Sequence, residues 1–506
     1  MMSCFLSLQP GLEFSRSKRF VHILMAGKKK SKNDNTKTSA KNAASNICQK
    51  HVFTVDEIKN IQKNMLEWYE REQRTLPWRT IAKTELDHNT RGYAVWVSEV
   101  MLQQTQVATV IPYFNKWMEK WPTVKALADA SIEEVLQTWA GLGYYSRGRR
   151  LHEGAKIIVE KLNGQMPDNV SDLPKLIPGI GAYSASAIAS IAFQKPAGVV
   201  DGNVIRVLSR MRIIGAPAST PSVRDHLWEL ANKLVSKERP GDFNQSLMEL
   251  GAVICTPQNP TCISCPVNNY CHAFSLSKTT PKVGRMDSFL KKKPTAKISH
   301  DSVPETNIPD IEDCSSCNIC LPASIWIENP QVTAFPCKTE KKSAREEKVK
   351  VLVIEKEDKL LMVRRPEKGL LAGLWEFPCV ILPDEATEKA KSAGMNSLVK
   401  ELGIPNSTLP STKYVGEVIH LFSHIHTTYV VEHLVLNNSV KIENSEKEGI
   451  WVTLDEIKMA AVSTAMKKVL ALVKKSETKS VKQAASRKRK QSAENQKQTS
   501  IKSFFS

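Results

Sequence analysis

The sequence predicts a multidomain protein in which an all-α domain precedes a smaller α/β domain. Three observations predict it. Over residues 52–275 apolar residues recur at helical spacing and strand-like alternation is nearly absent. Residues 276–347 are polar, rich in Lys, Pro and Ser, and without a period, as an interdomain linker would be. Over residues 348–473 β-rich runs and helical stretches alternate. The 506 residues leave room for about three domains at roughly 150 residues each. With 41% hydrophobic and 24% charged residues, the composition is globular rather than wholly disordered.

The all-α domain opens on Thr54-Val-Asp-Glu57, a capping box in which hydroxyl and carboxylate satisfy each other's free backbone amides. Ile58, Ile61, Met65 and Tyr69 continue it at helical spacing. Further helices are expected at 93–111, 131–139, 150–162, 182–193, 203–212, 223–236 and 244–251. In the second domain, Val349–Glu355 and Lys359–Arg365 read as strands around a charged turn. Two more strands are expected at 413–422 and 425–436, with helices at 385–402 and 454–473.

The formal net charge is +19, and most of it lies in the tails. Residues 1–50 hold ten Lys and Arg against two acids, and residues 474–506 again ten against two, so the ends carry +16 of it. Residues 1–51 read as a disordered basic tail and 474–506 as another. This balance points to a polyanionic partner without marking a groove. No membrane span is expected, since the longest uncharged stretch, Leu176–Gln194, contains Pro178, Gly179, Gly181 and three serines. The first 25 residues have the Ser- and Leu-rich, acid-poor composition of a mitochondrial transit peptide. Met25, followed by Ala-Gly-Lys-Lys-Lys-Ser-Lys, offers a second start that would expose a nuclear-type basic run, and Arg487-Lys-Arg-Lys490 is another. The expected compartment is the nucleus, with the mitochondrion as a second destination.

The eleven cysteines are clustered, and their odd total argues against a secreted disulfide framework. Cys255, Cys262, Cys265 and Cys271 put four thiols within 17 residues of a Pro-punctuated loop, enough to surround one iron–sulfur cube or one zinc. Cys314, Cys317 and Cys320 are three ligands wanting a fourth, which His51 or Cys48 could provide. Leu176-Ile-Pro-Gly179-Ile-Gly181-Ala-Tyr183 joins two helices through a hairpin whose glycines admit a close ligand, beside the free amides of the next helix. That combination suits a phosphate. Asp201, in Val200-Asp201-Gly-Asn203, stands at the mouth of the following helix and alone would be an N-cap. Glu99 lies on an apolar face with Val95, Trp96 and Leu102, where desolvation raises a carboxyl's pKa and suits it to proton donation. Two carboxylates in unlike environments are what cleavage of a glycosidic bond through an oxocarbenium-like state requires.

The hairpin, the Val-Asp segment and the cysteine loop, in this order, resemble the helix-hairpin-helix DNA glycosylase superfamily. The 6-2-5 cysteine spacing is similar to that of the endonuclease III and MutY families and implies a 4Fe–4S cluster. Trp96-Val-Ser-Glu99-Val-Met-Leu-Gln-Gln104-Thr-Gln and Gly141-Leu-Gly-Tyr144-Tyr-Ser-Arg narrow the resemblance to the MutY family over about residues 52–472. That resemblance implies that Glu99 protonates adenine at N7 and then assists water, while Asp201 stabilises the oxocarbenium ion or its adduct. It places Leu76, Trp78, Arg79 and Gln245 around the adenine, Tyr183 and Asn203 in support, and Gln104 and Tyr144 as wedges in a duplex whose target base is flipped out. Gly179 and Gly181 would contact the DNA backbone. Tyr183 stands where endonuclease III-like enzymes carry a nucleophilic lysine, so base removal without strand cleavage is expected. Ala182 replaces an arginine found in many relatives.

Gly369-Leu-Leu-Ala-Gly373-Leu-Trp375-Glu376-Phe377-Pro resembles the opening of a Nudix-type fold. The helix that would bind magnesium in a Nudix hydrolase has one acid of the set, Glu401, so pyrophosphate hydrolysis is not expected. Within the MutY family this domain reads 8-oxoguanine through a loop matched here by Phe422-Ser423-His424, and a linker zinc takes a histidine from the N-terminal side, which favours His51. Gln498, Ile501, Phe504 and Phe505 resemble the motif that docks onto the sliding clamp (proliferating cell nuclear antigen). The resemblance also implies linker contacts with a checkpoint clamp and an abasic-site endonuclease, and a monomer. Two alternatives stay open at this point: a non-catalytic, clamp-tethered DNA-binding protein, and a bifunctional glycosylase/lyase of the endonuclease III type.

Overall fold

The computed structural model describes residues 48–279, 317, 319–320, 331–337, 343–366, 369–382, 388–404, 411–422, 424–437, 448–476 and 478. Residues 1–47 and, apart from 474–476 and 478, the basic C-terminal tail lie outside them, with Arg487–Lys490, Cys314, Ser423 and the four residues of the clamp motif. Among the described residues no helix is long and apolar enough to cross a membrane.

Residues 48–279 are all-α. Helix α1 (Val55–Glu72) begins with the expected capping box, Thr54 accepting from the Glu57 amide and Glu57 from the Thr54 amide. There follow α2 (Pro77–Thr84), α3 (His88–Leu102), α4 (Val107–Lys120), α5 (Val124–Asp129), α6 (Ile132–Trp139), α7 (Ser146–Lys161) and the single turn α8 (Leu173–Leu176). Next come α9 (Ala182–Phe193), α10 (Gly202–Met211), α11 (Pro221–Leu234), α12 (Pro240–Val253) and α13 (His272–Thr279). The stretch expected as one helix over 93–111 is two, α3 and α4. The chain breaks between Gln103 and Gln106, where Gln104 takes a left-handed φ of 53°. Ten successive residues of α3, Gly92 to Met101, are buried, so this helix is enclosed on all sides rather than striped. Helix α9, almost entirely small or apolar, packs beside it with Ala185–Ala192 buried.

The region read as a linker is partly built into this domain. The Gly215 and Ala216 amides both donate to the Ile319 carbonyl at 3.1 Å. Ile319, Val332 and Phe335 are buried in the helical core. α13 also runs to Thr279, beyond the expected boundary.

The second half is a seven-stranded sheet. Its strands are β1 (Arg345–Lys356), β2 (Lys359–Arg364), β3 (Trp375–Glu376), β4 (Cys379–Leu382), β5 (Lys413–Leu421), β6 (Ile425–Val435) and β7 (Gly449–Val452). The central path runs β3-β2-β1-β6-β5, with β4 on β1 and β7 on β2. β1 and β6 are parallel, in register from Arg345 opposite Ile425 to Glu355 opposite Val435. Alternation along β1 feeds two cores. Val349, Val351 and Val353 meet Ala465, Met466 and Val469 of the last helix. Leu352 and Ile354 meet Leu398, Val399 and Leu402 at the end of α14 (Glu388–Glu401). The helix expected over 454–473 divides into α15 (Leu454–Met459) and residues 464–476. Between them Ala461 leaves the helix and its carbonyl accepts from the Trp375 amide at 3.1 Å.

Candidate active site

A cavity of about 330 Å³ opens among α2, α3, α9, α10 and α12. Nine of the residues picked out from sequence line it: Leu76, Trp78, Arg79, Glu99, Gln104, Tyr183, Asp201, Asn203 and Gln245. The two carboxylates arrive from different helices and meet different surroundings.

Glu99 projects from the enclosed middle of α3 and is 5% exposed. Burial lifts its carboxyl to about 7, the Tyr183 hydrogen bond partly opposes that, and the charge of Asp201 adds to it. Tyr183 Oη donates to Glu99 Oε2 at 2.7 Å. Asp201 is an N-cap, as its sequence position alone suggested, and it faces the cavity as well. Its Oδ1 accepts from the Val204 amide at 2.7 Å and its Oδ2 from Asn203 Nδ2 at 2.9 Å. Burial pushes the Asp201 carboxyl up, but these hydrogen bonds favour its charged form. Asn203 is held in turn by Arg206 Nη2 at 2.9 Å, and the same nitrogen donates to the Gly251 carbonyl at 2.6 Å. A desolvated acid thus faces an amide-stabilised carboxylate across one cavity.

The opposite wall is held by a charged cluster that sequence reasoning missed apart from Arg79 and Gln245. Glu249, whose side chain is fully buried, takes a bidentate pair from Arg74 (2.6 and 2.9 Å) and a third bond from Arg79 Nη2 at 2.8 Å. Burial pushes this carboxyl up, yet the two guanidinium groups outweigh it and hold Glu249 below the usual range. Arg79 Nε also donates to Gln245 Oε1 at 3.2 Å, fixing a polar edge toward the cavity. Glu249 lies one helical turn after Gln245 in an otherwise apolar run. The desolvation argument applied to Glu99 would have found it.

The residues expected to touch DNA are not all at this cavity. Gln104 is at its mouth. Tyr144 lies outside the lining, 46% exposed and at φ 46°, so both expected wedges are non-glycine residues in the left-handed region. Gly179, at φ 84°, makes the turn between α8 and α9, a conformation that favours glycine. Gly181 precedes α9 as its N-cap, and Ala182 is the first helical residue. Phe422 and His424 sit in the β5–β6 turn, where the Phe422 amide donates to the Ile425 carbonyl at 2.8 Å. None of the described residues of the β domain lines the cavity.

Two sets of metal-ligating side chains lie elsewhere. Cys255, Cys262, Cys265 and Cys271 line a single small cavity beside Arg210, whose Nη1 is 3.3 Å from Cys255 Sγ. Burial pushes the Cys265 thiol to about 12 and that of Cys271 to about 11. Thiols shifted so far become thiolates when a cation lies among them, and the four sulfurs around one cavity fit a bound metal. The second set contains Cys317, Cys320 and His51 as expected, together with Cys48, the other partner the sequence offered, while Cys314 lies outside the described residues. Cys48, His51, Cys317 and Cys320 have ligand atoms within 4.8 Å of one another, so both His51 and Cys48 are within reach of a shared ion. His51 Nδ1 lies 2.7 Å from the Arg212 carbonyl and therefore carries the proton, leaving the Nε2 lone pair toward Cys320 Sγ at 3.1 Å. Burial lowers His51 to about 4, so the ring is neutral, as a ligand must be. Cys48 is disulfide-bonded here, so ligation by its sulfur requires the reduced form.

Paired carboxylates at a helical cavity, a Pro-Gly hairpin and a four-cysteine loop define a DNA glycosylase of the base-excision class. The family model for the HhH-GPD superfamily of base excision DNA repair proteins matches residues 97–233, and a NUDIX domain model matches 350–472. The chain belongs to the adenine DNA glycosylase family. It is 47% identical to the adenine DNA glycosylase of Rattus norvegicus over 83% of this chain and 79% of that one. Against the human enzyme it is again 47% identical, over 83% and 75%, and against that of Schizosaccharomyces pombe 34%, over 80% and 88%. Among solved structures, a thermostable thymine-DNA glycosylase aligns at 26% identity and a TM-score of 0.39, over 44% of this chain and 97% of that one. The C-terminal domain of mouse MUTYH, solved in complex with human PCNA, aligns at 33% identity and a TM-score of 0.23, over 26% and 91%.

Proposed function

We propose that this enzyme excises adenine mispaired with 8-oxoguanine, or less readily with guanine, by hydrolysing the N-glycosidic bond. The observation that carries the reading is the contrast between Glu99 and Asp201 at one cavity. With its carboxyl lifted to about 7, Glu99 holds a proton that it can deliver to N7 of the base near neutral pH. Asp201, kept charged by the Val204 amide and Asn203, stabilises the oxocarbenium-like sugar or traps it covalently. Glu99, then deprotonated, takes a proton from the attacking water. Arg79 and Gln245 offer a fixed donor and acceptor edge for the base. Tyr183 orients Glu99, and its phenol cannot form the Schiff base needed for strand cleavage. The product is an abasic site in an intact strand.

Reaching the base requires flipping it out of the duplex at a cost of a few kcal/mol. Gln104 and Tyr144 fill the space the base leaves, while Gly179 and Gly181 bring the α9 amides to a phosphate. Cys255, Cys262, Cys265 and Cys271 would hold a 4Fe–4S cluster. Cys48, His51, Cys317 and Cys320 would hold a zinc ion, and both would stabilise loops that carry little core of their own. Phe422-Ser423-His424 reads 8-oxoguanine in the opposite strand. Gln498, Ile501, Phe504 and Phe505 tether the enzyme to the sliding clamp, and the basic tails direct it to the nucleus and in part to the mitochondrion.

A panel of duplexes with adenine opposite 8-oxoguanine, guanine, cytosine or thymine tests this reading. Excision should be fastest opposite 8-oxoguanine and slower opposite guanine. Phe422→Ala with Ser423→Ala should reduce the preference between the two. Equal rates on all four duplexes, or equal losses on both mispairs in the variant, would overturn it.

A further inference from the structure

Arg147 opens α7, yet it is buried, 8% exposed. Its Nη1 donates to the carbonyls of Val100 (2.8 Å), Met101 (3.0 Å) and Gln103 (2.5 Å), at the end of α3, where helical carbonyls lack partners of their own. Its Nη2 reaches Thr105 Oγ1 and the Leu142 and Gly143 carbonyls, each at 3.2 Å. One guanidinium therefore ties together two loops far apart in sequence, residues 102–106 carrying Gln104 and residues 141–145 carrying Tyr144. It also lies 5.5 Å from the Tyr144 ring and 5.4 Å from that of Trp139. A small crevice lined by Gln103, Arg147, Arg150 and Pro178–Gly179 puts this anchor on the same side as the hairpin.

We propose that Arg147 is a positioning residue that fixes the Gln104 and Tyr144 loops to each other and to the end of the Glu99 helix, so that base extrusion and protonation occur in one geometry. The inference rests on the excision reading above. Gln104 and Tyr144 both sit at positive φ, a strained state for non-glycine residues that persists only when its surroundings impose it. The surroundings here are Arg147's bonds, on either side of Gln104 and to the two residues just before Tyr144. A positive charge at the end of α3 also complements the helix dipole. Lysine would keep that charge, but its single ammonium cannot span two sets of acceptors as a planar fork does.

The test is a cycle of single-turnover excision rates on adenine opposite 8-oxoguanine. The proteins are wild type, Arg147→Lys, the pair Gln104→Ala with Tyr144→Ala, and all three changes together, each at a temperature where thermal melting shows it folded. A parallel reading uses 2-aminopurine beside the target adenine, whose fluorescence rises as the base leaves the stack. Arg147→Lys should slow excision on the order of 10²-fold, the loss expected of a misplacement near 1 Å. It should also suppress the fluorescence rise. Added to the Gln104 and Tyr144 changes, it should cost little more, because the loops it acts through are already disabled. Losses that multiply, or a lysine variant with wild-type rate and fluorescence, would overturn the proposal. If the wild type leaves adenine in place, the excision reading fails instead, and the fluorescence comparison still decides on Arg147.

Discussion

Replacing Glu99 by Gln should abolish excision and at the same time stabilise the fold, by an amount that follows the carboxyl's own titration. In the unfolded chain Glu99 titrates near 4.5, and in the fold burial lifts it to about 7. The difference is worth about 3.5 kcal/mol in full, at about 1.4 kcal/mol per unit. Below pH 4.5 both states are protonated and nothing is lost. As pH rises from there to about 7, the unfolded chain releases its proton while the fold retains it, so the wild type loses stability across this window. Above it the full cost of holding a charge in the cavity remains. Glutamine has the same shape, carries no charge and still accepts from Tyr183. The gain of Glu99→Gln over wild type should therefore grow by about 3 kcal/mol between pH 4.5 and 8. Urea unfolding of both proteins at pH 5, 6, 7 and 8, at constant ionic strength, measures it. A difference that is flat with pH would refute the claim that Glu99 is the desolvated acid.

Three further outcomes follow from the geometry. The Tyr183 hydrogen bond lowers the Glu99 carboxyl, so Tyr183→Phe should move the alkaline limb of the excision pH profile upward; a limb that stays or falls contradicts the role given to Tyr183. A Cβ on Gly251 would lie 2.6 Å from Asn203 Cβ and 3.1 Å from its Cα. Gly251→Ala should therefore cost about 1–3 kcal/mol of stability and slow excision by displacing Asn203 from Asp201, and an unchanged melting temperature would count against this close packing. Cys320→Ser should remove one equivalent of bound zinc, measured by elemental analysis under reducing conditions, while iron content stays constant. Loss of both metals together would show that the two cysteine sets are not independent.

Much of the site was legible because each of its motifs is local in sequence and the family resemblance joined motifs that lie far apart. The Thr54–Glu57 capping box, helix 182–193 and the paired strands of the second domain need only local patterns. Glu99 was readable from apolar neighbours at helical spacing, although the helix proved to be enclosed on every side. What stayed hidden depends on partners distant in the chain. The break after α3 occurs where Arg147, more than forty residues later, takes the terminal carbonyls. The division of the last helix answers to Trp375. Glu249 is a charged residue in an apolar run whose two arginine partners lie about 170 residues earlier. Cys48 and His51 were both candidate ligands, but spacing could not choose between partners some 270 residues away, and the fold brings both to Cys317 and Cys320. β3, β4 and β7, of two to four residues, are too short for a period of two to register.

The central claim, that Glu99 and Asp201 together remove a base without cutting the strand, is met most directly by one single-turnover experiment. Wild type and Asp201→Asn would each be given a duplex with adenine opposite 8-oxoguanine, and the products resolved with and without alkali. The account predicts cleavage at the adenine that depends on alkali in the wild type and is absent from Asp201→Asn. Strand cleavage without alkali, or an Asp201→Asn variant that excises at the wild-type rate, would contradict it.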